Sequence, residues 1–72
     1  MNKYNTYLRL AFNGASEVIC TKETVNVVLE KLKQASENNT SVKFYCVDKK
    51  EHFFISPNNV PSITVVDTRP KQ

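Results

Sequence analysis

The sequence predicts an α+β domain of order ββαβββ, with one mostly antiparallel sheet and a single helix packed on one face. Three observations point there. Asn13-Gly14 sits where an alternating stretch ends and the chain must return. One helical stripe runs from Val25 to Ala35. Three β-rich segments follow, divided by turn residues.

The elements can be justified in order. Tyr7-Leu-Arg-Leu-Ala-Phe12 alternates, with Leu8, Leu10 and Phe12 on one side and Tyr7, Arg9 and Ala11 on the other. Asn13-Gly14 is a strong hairpin signal because both residues tolerate positive φ, so the strand returns as Ser16-Glu-Val-Ile-Cys20. Thr21 is placed to cap a helix, with Glu23 near its positive end. Val25, Val28, Leu29, Leu32 and Ala35 form one helical stripe. Val residues are poor helix formers, so tertiary packing must hold this helix. Asn38 or Asn39 can take the left-handed cap at its end.

Ser41-Val-Lys-Phe-Tyr-Cys-Val47 reads as a third strand, rich in β-branched and aromatic residues. Asp48-Lys-Lys-Glu51 is a charged turn, His52-Phe-Phe-Ile55 a fourth strand, and Ser56-Pro-Asn-Asn59 a second turn. Ser62-Ile-Thr-Val-Val66 is the fifth. Pro61 cannot donate to a ladder, so that strand begins at the Pro or lies at an edge.

The 72 residues suit a single domain, 1–72, with an ordered core over about 4–67 and a tail over 68–72. A net charge of +3 is mildly basic, and the ten Lys and Arg are spread out, with Lys49-Lys50 their only adjacent pair. At a hairpin tip that pair can reach a phosphate or an acidic partner. No run approaches the roughly 18–20 apolar residues of a membrane span, and the start lacks a signal-peptide core. The expected partners therefore exclude a membrane, and the expected location is the cytoplasm, or the host cytoplasm for a phage-encoded chain. Asn and Lys, eight each, suit an AT-rich bacterial or phage genome.

The pattern offers no catalytic set. Cys20 and Cys46 form no C-x-x-C pair, and with the single His52 they do not complete a four-ligand zinc site. They read as small buried hydrophobes in a reducing compartment. His52 reads as a surface residue after a charged turn. Gly14 is the only glycine and serves the hairpin, so there is no phosphate loop. No cofactor, metal site or enzyme activity is expected.

One surface looks unfinished. A helix of about 15 residues is roughly 22 Å long and 10 Å wide, against about 20 Å for five strands. It covers half of one face. Alternation assigns Leu8, Leu10, Phe12, Val18, Cys20, Val42, Phe44, Cys46, Phe54, Ile63 and Val65 to the helix side. The opposite face then carries Tyr7, Arg9, Ala11, Ile19, Lys43, Tyr45, Val47, Phe53, Ile55 and Val66. That set is too apolar for a free sheet surface.

Three explanations are open. Two copies stack or pair as a dimer; the sheet curls into a partly closed barrel; or the face is a ligand platform. In the last case Tyr7, Tyr45 and Phe53 with Arg9 and Lys43 form a stacking surface for single-stranded nucleic acid. Ser41–Val47 bears a loose likeness to the aromatic strand of RNA-recognition modules, without that motif's Gly and with one helix in the chain where the module has two. The first expectation is a small non-enzymatic intracellular interaction protein. It self-associates and regulates another macromolecule, for instance as a phage or mobile-element inhibitor of a host enzyme or defence system. The second is a nucleic-acid-binding module using Arg9, Lys43, Tyr45, Phe53, Lys49 and Lys50.

Overall fold

The computed structural model describes residues 4–68. Its elements are β1 (Thr6–Phe12), β2 (Ala15–Thr21), α1 (Val25–Asn38), β3 (Val42–Cys46), β4 (Glu51–Ile55), a 3-10 turn (Pro57–Asn59) and β5 (Ser62–Asp67). The α+β class and the ββαβββ order are as the sequence predicts. Thr68 is the first residue of the expected tail. Thr68 N–H donates to the Asn5 carbonyl at 3.0 Å and its hydroxyl donates to the Tyr4 carbonyl at 3.2 Å. The remainder of that tail, 69–72, lies outside the described residues.

The strands form two antiparallel sheets rather than one, β2-β1-β5 and β3-β4. As Pro61 implied, β5 is an edge. The sheets meet at the β2–β3 seam, where Val47 N–H donates to the Cys20 carbonyl at 2.9 Å. The next residues of β2 are diverted. Thr21 carbonyl accepts from Asn5 N–H at 2.9 Å, and Thr6 hydroxyl donates to the Glu23 carbonyl at 2.6 Å. The Lys22 carbonyl, which strand alternation would aim at β3, accepts from Asn5 Nδ2 at 2.6 Å. The one carbonyl here that would have extended the ladder to β3, that of Lys22, is satisfied by the Asn5 side chain instead, and the chain bends toward the helix.

That bend also moves the helix start. Thr21 ends β2, buried, and its hydroxyl accepts from Glu23 N–H at 3.3 Å. The cap is Thr24, whose hydroxyl accepts from Val27 N–H at 3.5 Å. Glu23 lies just before the helix and pairs with Lys31. At the other end Asn39 takes the left-handed cap, φ 53°. The 3-10 turn clamps it: Asn58 Nδ2 donates to Ser36 carbonyl at 2.9 Å, and Ser36 hydroxyl donates to Asn58 Oδ1 at 2.7 Å.

The helix packs against β3 and β5, spanning the inner faces of both sheets. Val28, Leu32 and Ala35 are buried, while Leu29 is half exposed. Leu8, Leu10, Ile19, Phe44, Cys46 and Ile55 complete the core, with Val42, Phe53, Val60, Ile63 and Val65 against it.

Pairing corrects the faces of two strands. Residues directly opposite in an antiparallel pair share a face. Leu8 faces Ile19, so Ile19 is inside and Val18 and Cys20 point outward. Val42 faces Ile55 and Phe44 faces Phe53, so Phe53 and Ile55 are inside and Phe54 is outside. The β3–β4 turn sets this register. Lys50 N–H donates to the Cys46 carbonyl at 2.8 Å, with Lys50 itself at φ 56°. A slip of one residue exchanges a strand's two sets, as happened here in β2 and β4.

Candidate functional site

The outer face is built from alternate residues of all five strands. Tyr7, Arg9 and Ala11 come from β1, and Val18 and Cys20 from β2. Thr64 and Val66 come from β5, Lys43 and Tyr45 from β3, and His52 and Phe54 from β4. Val47 continues the row across the seam through its bond to Cys20. Of the residues expected on this face, the structure brings Tyr7, Arg9, Lys43, Tyr45, Val47 and Val66 together there. Ile19, Phe53 and Ile55 instead belong to the core.

Two neighbours take their place. His52 lies opposite Tyr45, with ring centroids 4.9 Å apart and edge-on at 61°. Phe54 lies opposite Lys43 and is 73% exposed, the highest value among the large exposed hydrophobics. Only the pairing of β4 with β3 identifies Phe54. With Val42, Phe44 and Cys46 inward, a five-residue partner ending at Ile55 places Phe53 opposite Phe44 and leaves Phe54 outside.

The charges of the strands are segregated. Glu17 lies opposite Leu10, Glu51 opposite Cys46 and Asp67 opposite Thr6, so all three have the parity of the inner face. Among the described strand residues the outer face holds Arg9 and Lys43 and no carboxylate. Lys49, expected as an anion contact, has a partner within the chain. It pairs with Glu17 and lies 5.3 Å over the Phe53 ring, and its bond to Glu17 raises its pKa. Lys50 is exposed and takes a left-handed turn conformation, φ 56°.

Where β2 bends away from β3, a recess of about 330 Å³ opens beside Tyr45. Lys22, Glu23, Lys31, Lys43, Tyr45 and His52 contribute to its walls. Lys31 is held by Glu23 and lies 5.6 Å over the Phe44 ring. The recess is small for a ligand cleft, whose usual range is about 300–1,000 Å³. It is basic, with three lysines against one glutamate.

Cys20 and Cys46 are free thiols, both buried. Burial pushes the Cys20 thiol up, and Tyr4, which hydrogen-bonds it, is raised by the neighbouring Cys20. A raised thiol is a poor nucleophile. Both cysteines should resist a thiol reagent in the native state and react together on unfolding. The folded pKa of Cys20 lies above the ordinary value of 9.0. Its contribution to stability is therefore intact below that pH and is lost as pH climbs through the folded value. Rapid native labelling of either thiol would contradict this.

Among the described residues no three His, Cys, Asp or Glu side chains gather where they could hold a metal ion. No helix there is long and apolar enough to cross a membrane. Comparison with family models, curated proteins and solved structures finds no match.

Proposed function

We propose that this chain is a small non-enzymatic binding protein that grips an anionic macromolecule with the outer face of its sheets. The observation that carries this reading is the segregation of charge: exposed aromatics and cations on that face, with the strand carboxylates at the opposite parity. Such a face attracts a negative partner and steers its approach.

Self-association through the same face has less support. Ile19, Phe53 and Ile55 supplied much of the apolar excess that argued for it, and all three point inward. A two-fold stack would also press a face whose charges are cations against its own copy.

Retention on immobilised heparin tests the reading. Arg9→Ser and Lys43→Ser should elute at clearly lower salt than the parent. Lys33→Ser, on the exposed side of α1, should elute near it. The three variants lose the same charge, so equal shifts would mean that no particular face binds.

A further inference from the structure

We propose that the occupant of the outer face is single-stranded nucleic acid, with bases stacked on Tyr45 and Phe54 and one base edge entering the recess at the β2–β3 seam. This rests on the reading of that face as an anion-binding surface. It adds the chemical class of the partner.

Cations alone do not distinguish a nucleic acid from an acidic protein. The rings do. Tyr45 is 42% exposed and Phe54 is 73% exposed, in the middle of a two-stranded ladder where a solvated face ordinarily carries polar side chains. Tyr45 lies opposite His52, so Phe54 is its diagonal neighbour. Diagonal neighbours sit about 7–8 Å apart, enough for one base on each ring. A duplex keeps its base faces stacked inside, whereas a single strand can offer them to aromatic side chains. Lys43, opposite Phe54, is then beside the stacked bases, where the backbone phosphates run.

The recess adds a second distinction. Glu23 contributes to its wall, and the Glu23 carboxylate is paired with Lys31. A carboxylate accepts hydrogen bonds and donates none when ionised. It can receive an exocyclic amine or ring N–H of a base, donors that the carboxylate side chains of an acidic peptide lack. Lys22 and Lys43 on the same walls are placed for the phosphates on either side of that base.

Fluorescence anisotropy with a labelled single strand of about 12 nucleotides tests this. Three probes are compared: the single strand, its duplex form, and poly-glutamate as a competitor. The single strand should bind at low salt and weaken steeply as salt rises. Tyr45→Ala and Phe54→Ala should each reduce affinity roughly 10-fold, while Phe54→Tyr, which keeps the ring, should retain it. Circular dichroism on each variant establishes that it is folded. Absence of binding at low salt would overturn the proposal. So would binding that folded Tyr45→Ala and Phe54→Ala leave unchanged, or poly-glutamate competing as well as the single strand, which assigns the face to an acidic protein. Heparin retention that depends on Arg9 and Lys43 would survive those failures and keep the anion-binding reading alone.

Discussion

Phe44→Ala should remove about 3–5 kcal/mol of folding free energy, the usual range for a large buried aromatic cut back to Ala. Phe44 is 1% exposed and belongs to the cluster that joins both sheets to the helix. It faces Phe53 across β3–β4, and the Lys31 ammonium sits over its ring. A domain of this length has a total stability of only about 4–11 kcal/mol at ordinary per-residue values. The substitution therefore consumes a large share of it, and the variant should melt far earlier in urea. A loss below about 1 kcal/mol would mean that Phe44 does not hold the sheets together.

The second large effect is a contrast between adjacent residues. Phe53→Ser should cost about 2–4 kcal/mol, because it removes an aromatic packed against the core and leaves a hydroxyl there. Phe54→Ser should change stability by no more than about 0.5 kcal/mol, since its ring faces water. Paired urea melts decide it. If Phe54→Ser were the damaging change, the β4 register would be slipped by one, and the outer face would carry Phe53 and Ile55 instead.

This pair also shows where the sequence is legible. The faces of β1, β3 and β5 follow from alternation because a polar residue breaks each apolar set: Arg9 in β1, Lys43 in β3, Thr64 in β5. In β2 and β4 the apolar residues are consecutive, Val18-Ile-Cys20 and Phe53-Phe-Ile55, and such a run fits either parity. The partner strand decides, and the partner is a non-local fact. The helix start has the same cause. Thr21 and Thr24 are both competent caps, but Asn5 and Thr6 hold residues 21–23 in a bend, so the helix begins after it.

The binding surface was half legible for related reasons. Arg9, Lys43 and Tyr45 could be placed from alternation, and the structure keeps them on one face. Phe54 and His52 could not be placed before β4 was paired. The pairing of Lys49 with Glu17 joins residues 32 positions apart, so the sequence alone does not show that Lys49 has a partner. The recess was invisible in the sequence, because it exists only where β2 leaves β3.

The outer-face claim is tested most directly by mapping residue-by-residue NMR shift changes in the full chain as the single strand is added. The perturbed signals should be those of Lys43, Tyr45, His52 and Phe54, with Lys22 at the recess, while α1 residues such as Lys33 and Glu37 stay still. Changes centred on α1, or spread evenly over the domain with Tyr45 and Phe54 unmoved, would contradict it.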